Sequence, residues 1–398
     1  MKTQQNVSAA MIVLVFAAFV SIGLPDALGG TSWPDLRIEF GVPNAYVGIL
    51  NIPGALAYML SSALLGTILH RIGTGMLLIY STILVGTGLT WYALSPNFWF
   101  LIPAVALIAS GSGAIDAALN LFAAQNLPPR YMSWLHAFYG VGALVGPFLM
   151  AIIFGMGQSW RWGYASVAFI IWIMALIFVV TRGHWAADPD AEESHHDEQS
   201  TAVSGAQVLR MPRVQLSLLM MMGGAVIECL ASLWTASILV NRFDVSTSKA
   251  ALGVALYWIG LTGGRILIPI IWPNATPIRI QRVSTAVVLA GALAMIPPSL
   301  PLSIVGIALI GVGIASIFPI AMTITANRFG PAVSQHAVGY MVSASTIAFS
   351  VLPFISGWLA DRAGFAIIPV IMVLGVMLLL ATQMVLVRGD TPKPADIL

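Results

Sequence analysis

Residues 365–388 read FAIIPVIMVLGVMLLLATQMVLVR, an unbroken apolar stretch without a charge before Arg388. A helix that crosses the hydrocarbon core of a bilayer needs about 20 predominantly apolar residues, and this stretch supplies them. Because lipid offers the backbone no hydrogen-bond partners, a spanning segment is a helix or part of a closed barrel, and long continuous apolar runs indicate helices. The stretch therefore predicts a membrane-spanning helix.

The composition of the whole chain is that of a protein embedded in lipid. Of its 398 residues 59% are hydrophobic and 8% are charged, whereas about a quarter of the residues of a soluble domain are charged. The formal net charge of +2 comes without any basic stripe, which argues against a nucleic-acid partner. The single cysteine, Cys229, excludes a disulfide framework and a thiolate metal site.

The chain contains twelve apolar stretches of this kind, and most of the connections between them are short. The predicted spans are 7–30, 44–67, 74–95, 98–125, 133–157, 160–182, 213–240, 249–272, 280–297, 301–326, 332–358 and 365–388. The first run is longer than the apolar core of a signal peptide and leads into Pro25 and Asp26 rather than a cleavage site, so we expect a retained helix. The predicted fold is all-α and integral to the membrane, with two six-helix bundles at 1–182 and 213–398.

The distribution of Lys and Arg predicts how the chain is oriented. With the N-terminus inside, twelve of the seventeen basic residues fall on the cytoplasmic side: Lys2, Arg71, Arg130, Arg182, Arg210, Arg213, Arg265, Arg279, Arg282, Arg328, Arg388 and Lys393. Five fall outside: Arg37, Arg161, Arg242, Lys249 and Arg362. Positive residues concentrate in cytoplasmic loops, so we expect both termini inside, in the cytoplasmic (inner) membrane.

Residues 183–212 form the one long connection and divide six spans from six. The segment holds six acidic residues together with His184, His195 and His196. Ligands on a short polar tract are rarely arranged in advance for a metal, so the segment is interpreted as a solvated cytoplasmic linker.

The two halves repeat each other weakly. Gly111 and Gly113 in the fourth span are matched by Gly311 and Gly313 in the tenth, and His136 by His336, all at an offset of 200. The shared offset favours two six-helix repeats, an arrangement in which a substrate site lies near the midplane and the halves rock to expose it to each side in turn.

Three carboxylates fall inside predicted spans: Asp26, Asp116 and Glu228. A charge at the bilayer centre costs between about 3 and more than 10 kcal/mol, so such residues usually face a cavity and belong to an ion or substrate pathway. Asp116 and Glu228 are deep and have no Lys or Arg beside them in their own spans. Asp26 is expected near the external face, because it lies about 19 residues into an outward-running helix.

Amide, hydroxyl and aromatic residues line up with these carboxylates at helical spacing. Asn120 follows Asp116 by four residues and shares its face, and Asn51 begins a similar stripe in the second span. The candidate ligand contacts are Asn51, Asn120, His136, Tyr257 and Trp258. Such groups suit a neutral hydroxylated ligand, since no Lys or Arg is expected at midplane. His136 lies early in its span and is compatible with proton relay or with an interfacial hydrogen bond.

The loop after the second span resembles the signature of the major facilitator superfamily. Residues Gly66-Thr-Ile-Leu-His70-Arg71-Ile-Gly73 have the spacing Gly-x-x-x-Asp-Arg-x-Gly, with His70 in place of the acid. In that family the loop gates transport, so the resemblance implies a gating role for Gly66, His70, Arg71 and Gly73. Residues 357–364 have the same spacing but fall at the external side.

Within the superfamily the chain is most similar to the fucose-galactose-glucose:proton symporter family. The run Gly111-Ser-Gly113-Ala-Ile-Asp116-Ala-Ala-Leu-Asn120 is similar to that family's Gly-x-Gly-x-x-Glu-x-x-x-Asn, with the shorter Asp116 in place of the Glu, and Tyr257-Trp258-Ile-Gly260 with Gly264-Arg265 resembles its eighth span. The resemblance implies proton coupling at Asp116 and Asp26. The family's Pro-Tyr after the Asn is replaced by Leu121 and Phe122, so the identity of a sugar does not transfer.

These features favour a secondary transporter that moves a small neutral solute by proton symport, with a sugar as the leading candidate and Glu228 as a further proton site. Sodium coupling stays open, and so does proton-coupled export of amphipathic compounds, which Gly142-x-x-x-Gly146-Pro147 weakly favours. No nucleophile with a base, metal-ligand spacing or nucleotide motif indicates an enzyme. We therefore expect no cofactor and no metal, a small-molecule substrate, and a monomer in the bilayer.

Overall fold

A computed structural model describes residues 9–127, 129–185 and 204–388. The predicted linker at 183–212 lies largely outside this part, since residues 186–203 are not described. We refer to residues 9–185 as the N-terminal half and to residues 204–388 as the C-terminal half.

The described chain is built from helices, and no strand occurs in it. The first half contains Ala9–Gly23, Leu28–Phe40, Tyr46–Ala63, Leu65–Leu94, Leu101–Asn126, Pro129–Gly155 and Trp160–Thr181. The second contains Gly205–Leu209, Pro212–Phe243, Thr247–Ile271, Pro277–Ala294, Leu300–Ile314, Ile317–Ala363 and Ile367–Arg388. Short 3-10 turns at Phe98–Phe100 and Arg182–His184 extend two of them.

Eleven segments of the described chain are long and apolar enough to cross a membrane. The predicted ninth span is the helix Pro277–Ala294, whose first turns carry Arg279, Gln281 and Arg282 and are therefore less apolar than the rest. That helix packs against the tenth and twelfth spans as an integral part of the bundle. The prediction of an all-α integral membrane fold is confirmed.

The first span is longer than predicted and is broken in the middle. Its two helices, Ala9–Gly23 and Leu28–Phe40, are joined by a turn at residues 24–27. The span thus reaches residue 40 instead of 30, because the second helix packs on the seventh span despite carrying Asp35, Arg37 and Glu39. Asp26 lies in the break near the middle of the span, so its predicted place at the external face is wrong.

Two glycines let consecutive spans reverse direction with almost no loop. Gly73 (φ 73°, ψ 164°) separates the second span from the third inside Leu65–Leu94. Gly330 (φ 70°, ψ 171°) separates the tenth from the eleventh inside Ile317–Ala363. Only glycine adopts such a backbone at little cost, so these positions set the antiparallel packing of the spans on either side.

The two halves meet along three pairs of spans: the fifth with the eighth, the second with the eleventh, and the first with the seventh. Small residues permit the close approach. A Cβ on Gly140 would lie 2.5 Å from Thr262 Oγ1, and one on Gly30 would lie 2.4 Å from the Ser232 carbonyl oxygen. In membranes helices associate largely by such packing. The three pairs surround a cavity between the halves.

Candidate functional site: a cavity between the halves

The cavity has a volume of about 300 Å³ and takes its walls from both halves. Its polar lining from the N-terminal half is Asp26, Tyr58, Ser112, Asp116, His136 and Tyr139. Glu228, Arg265 and Ser345 line it from the C-terminal half, beside an apolar wall of Ile314, Ile317, Phe318 and Phe349. The cavity is within the size range of small-molecule sites, and its few polar groups converge from facing elements.

Asp26 reaches this cavity because the first span is interrupted at the residue. The turn at 24–27 holds Pro25 and places the Asp26 side chain in an exposed position at the cavity wall. The Tyr139 hydroxyl, from the fifth span, donates a hydrogen bond to Asp26 Oδ2. A broken helix at a midplane site is a recurrent feature of secondary transporters.

Asp116 is oriented by two hydrogen-bond donors. Tyr58 Oη donates to Asp116 Oδ2 at 2.7 Å, and Asn120 Nδ2 donates to Oδ1 at 2.9 Å and to the Asp116 carbonyl oxygen at 2.9 Å. Gly113 brings the second span close enough, since a Cβ there would lie 2.6 Å from the Tyr58 carbonyl oxygen. Asn120 therefore orients Asp116, and it is not part of the cavity wall itself.

Glu228 and Arg265 face these carboxylates from the C-terminal half. The prediction that no Lys or Arg lies at midplane, with Arg265 on the cytoplasmic side, is wrong, because Arg265 lines the central cavity together with Asp26, Asp116 and Glu228. Arg265 Nε is buried without a hydrogen-bond partner, and no ion pair of Arg265 occurs within the described residues. Three carboxylates thus share the cavity with one guanidinium.

The other predicted contacts are divided among three places. His136 lines the central cavity. Asn51 lines a second cavity of about 240 Å³, whose walls come from the N-terminal half except for Leu233 and which adjoins the first cavity at Asp26 and Ser112. Tyr257 is fully buried and Trp258 is 6% exposed, and the structure brings neither to the cavities described here. Helical spacing shows that residues share a face, but not which neighbour that face meets.

Tyr58, Tyr139 and Arg265 line the cavity but are not among the ligand contacts predicted from the sequence, although Tyr58 and Arg265 belong to polar stripes of the second and eighth spans. Tyr139 follows His136 by three residues and shares its helical face, which is a signal that could have found it. Tyr58 belongs to the same stripe as Asn51.

The loop with the signature spacing is at the surface. His70 and Arg71 are exposed and make no hydrogen bond or ion pair with the described part of the chain. Gly66 has open space around it, and Gly73 forms the reversal between spans. Among the described residues, His70 and Arg71 therefore have no hydrogen bond or ion pair through which they would hold a gate.

Comparison with known proteins agrees with this architecture. Residues 11–301 match the family model of the Major Facilitator Superfamily. The chain belongs to this superfamily. As a member it is a multi-pass membrane transporter of small molecules and not an enzyme. The narrower resemblance to the fucose-galactose-glucose:proton symporters stays a prediction.

Individual relatives of this superfamily member are distant. It is 24% identical to the membrane protein MosC of Rhizobium meliloti, over 91% of this chain and 86% of that protein. It is also 24% identical to the glucose/mannose transporter GlcP of Bacillus subtilis (strain 168), over 68% of each chain. Among solved structures the nucleoside transporter NupG superposes with a TM-score of 0.74 at 13% identity, covering 96% of this chain and 98% of that one.

Proposed function

We propose that the protein transports a small neutral sugar by proton symport, through alternating exposure of the cavity between its halves. The observation that carries the proposal is Asp116, held by Tyr58 and Asn120 at the wall of a cavity that also contains Asp26. Similarity to a protein named as a glucose/mannose transporter supports the choice of substrate class.

The charges of the cavity support ion coupling. Three carboxylates against one guanidinium leave an excess of negative charge in a membrane-embedded space, which is costly without compensation. Protons that bind to these carboxylates from one side and leave to the other would couple the proton gradient to the neutral sugar. Asp116, Asp26 and Glu228 are the proposed proton sites.

The neighbours of the carboxylates favour a proton over sodium. A sodium ion is held by oxygen lone pairs, whereas Tyr58, Asn120 and Tyr139 present O–H and N–H groups to Asp116 and Asp26. Asn120 Nδ2 donates to two oxygens of Asp116. The amide is therefore oriented with its nitrogen, and not its oxygen, toward the carboxylate. These O–H and N–H donors stabilise the ionised carboxylates of Asp116 and Asp26 without a metal ion, so the two charges do not require sodium.

The apolar wall gives a second candidate function. Ile314, Ile317, Phe318 and Phe349 form one side of the cavity, and an amphipathic compound would bury its apolar part there. Proton-coupled export of such compounds is the alternative to sugar uptake.

The decisive experiment is uptake by purified protein in liposomes with an inside-alkaline pH gradient and labelled hexoses and pentoses. We expect accumulation that collapses with the gradient and in Asp116→Asn. Asp244→Asn makes the same chemical change in a residue at φ 53° outside the cavity, a conformation that Asn tolerates, and should transport normally. If folded protein accumulated no sugar, the proposal would be contradicted. If a sodium gradient alone drove accumulation, sodium would replace the proton as the coupling ion.

The proposed location is the cytoplasmic membrane with both termini inside, supported by the distribution of Lys and Arg, which is eleven against five once Arg265 in the cavity is left out. Gln158 is exposed at the turn between the fifth and sixth spans. A cysteine there, in a Cys229→Ser background, should react with an impermeant maleimide added to intact cells, and protection until the cells are opened would reverse the orientation.

A further inference from the structure

The spacing of the signature loop occurs a second time, at the end of the eleventh span. Residues Gly357-Trp-Leu-Ala-Asp361-Arg362-Ala-Gly364 repeat the pattern of residues 66–73. The final glycines have nearly the same backbone, φ 73° and ψ 164° at Gly73 and φ 74° and ψ 172° at Gly364. The two segments differ at the acidic position, where one has His70 and the other Asp361.

Asp361 joins the two halves of the protein. Its Oδ1 accepts hydrogen bonds from Asn44 N at 2.9 Å and Asn44 Nδ2 at 2.7 Å, and its Oδ2 accepts one from Ala45 N at 3.0 Å. Asn44 and Ala45 directly precede the helix Tyr46–Ala63. The carboxylate therefore caps the start of the second span, where backbone N–H groups lack partners and the helix dipole attracts negative charge.

The surroundings hold this contact in one geometry. Asn44 is buried, and its Oδ1 accepts a hydrogen bond from Trp33 Nε1 at 3.2 Å. A Cβ on Gly357 would lie 2.5 Å from the Asn44 carbonyl oxygen, so the backbones touch. Nearby, Arg37 Nη2 donates to Asn241 Oδ1 at 3.2 Å, again from one half to the other.

The segment with His70 makes no such contact. His70 and Arg71 form no hydrogen bond or ion pair with the described residues, whereas Asp361 makes three hydrogen bonds to the other half. We call the ends of the molecule at these two residues the His70 end and the Asp361 end.

We propose that Asp361 is a positioning residue of the transport cycle, whose carboxylate holds the Asp361 end closed by capping the second span. Its hydrogen bonds break each time that end opens. Position 70 carries no acid, so the conformation closed at the His70 end lacks an equivalent cap. The resting protein therefore favours the conformation closed at the Asp361 end. This inference uses the superfamily's alternating access from the proposed function, but not the identity of substrate or ion.

The test is a distance measurement across the Asp361 end in nanodiscs without substrate. Spin labels at Leu94→Cys and Ala366→Cys, both exposed, in a Cys229→Ser background report the separation of the halves by double electron-electron resonance. Asp361→Asn keeps the size of the side chain but turns an NH₂ group toward the backbone donors. We expect the ratio of open to closed populations at this end to rise about fivefold or more.

Two further variants make the result decisive. His70→Asp supplies an acid at the opposite end and should raise the same ratio without touching the Asp361 contact. Arg362→Gln is the matched control, because Arg362 lies over the Trp358 ring at 4.0 Å within its own half, and it should leave the ratio unchanged. Unaltered distances in both Asp361→Asn and His70→Asp would overturn the proposal, as would an equal shift in Arg362→Gln. If Asp361→Asn fails to fold, Asn44→Ala, which removes the Nδ2 donor to Asp361 but keeps both backbone donors, should raise the ratio as well, and an unchanged ratio would overturn the proposal. The distances are measured without substrate, so a failure of the sugar-uptake experiment would not change the outcome of this test.

Discussion

The hydroxyl of Tyr58 donates a hydrogen bond of 2.7 Å to Asp116 Oδ2, which connects the second span to the carboxylate of the fourth. Ser62 Oγ strengthens the same junction by donating to the Gly113 carbonyl oxygen at 3.0 Å. The second span packs against the eleventh span of the other half. A change at Asp116, such as binding of a proton, therefore acts directly on a helix at the boundary between the halves.

Removing this hydroxyl should impair transport without unfolding the protein. A hydrogen bond to a charged group contributes about 1.5–3 kcal/mol, so we expect Tyr58→Phe to lower the rate of gradient-driven uptake about tenfold or more. Tyr80→Phe is the control, because Tyr80 is 52% exposed and has no hydrogen bond among the described residues. Equal uptake by the two variants in liposomes would show that the Tyr58 hydrogen bond has no role in coupling.

The close approach at Gly113 can be tested through stability. In Gly113→Ala the added methyl would lie 2.6 Å from Ser61 Oγ and from the Tyr58 carbonyl oxygen, and forcing an extra methyl into such packing costs about 1–3 kcal/mol. Gly263→Ala adds the same group where nothing lies within 4 Å. Thermal unfolding in detergent should show a lower midpoint for Gly113→Ala and an unchanged or higher one for Gly263→Ala. An unchanged midpoint in Gly113→Ala would mean that the spans can separate freely.

The balance of charge in the cavity predicts coupling between Arg265 and Glu228. Arg265→Gln removes the one guanidinium that faces three carboxylates in the described cavity, so it should lower the unfolding midpoint and abolish uphill uptake. Adding Glu228→Gln restores the original difference between acidic and basic groups, and interacting sites show coupling energies of about 0.5–3 kcal/mol. The double variant should therefore be more stable than Arg265→Gln alone. If the stability changes of Arg265→Gln and Glu228→Gln simply added up in the double variant, the two residues would not interact. Arg279→Gln removes a positive charge from an exposed residue and serves as the control.

Local patterns in the sequence predict much of the fold and part of the site. Apolar runs identify the spans, and the spacing of Asp116 and Asn120 predicts a contact that the structure contains. The position of Asp26 could not be predicted, because Asp35, Arg37 and Glu39 gave residues 31–40 the composition of a loop. That helix is stabilised by packing on the seventh span, which a local pattern does not record.

The residue pairs that lie 200 positions apart in the two halves show the same limitation of local sequence patterns. Gly111 lies against the Ser81 carbonyl oxygen in the third span, whereas Gly311 lies against the Tyr257 carbonyl oxygen in the eighth. His136 lines the central cavity, but His336 stacks on Tyr340 with ring centroids 6.4 Å apart, beside the helix Gly205–Leu209. Equal spacing along the chain therefore does not give equal surroundings, because each helix can turn its small residues toward either of two neighbours.

Tyr257 provides a direct test of whether the eighth span contacts ligand through its aromatic residues. The side chain is fully buried, its hydroxyl has no hydrogen-bond partner, and its ring packs at 5.5 Å from that of Trp258. Burial of a hydroxyl without a partner costs about 1–3 kcal/mol, so Tyr257→Phe should leave the unfolding midpoint unchanged or raise it. Uptake should stay within about twofold of the original, since this ring does not line the cavities described above. A selective loss of uptake with an unchanged midpoint would instead make the Tyr257 hydroxyl part of the binding site, as the sequence pattern predicted, and would require the eighth span to rotate toward the cavity during transport.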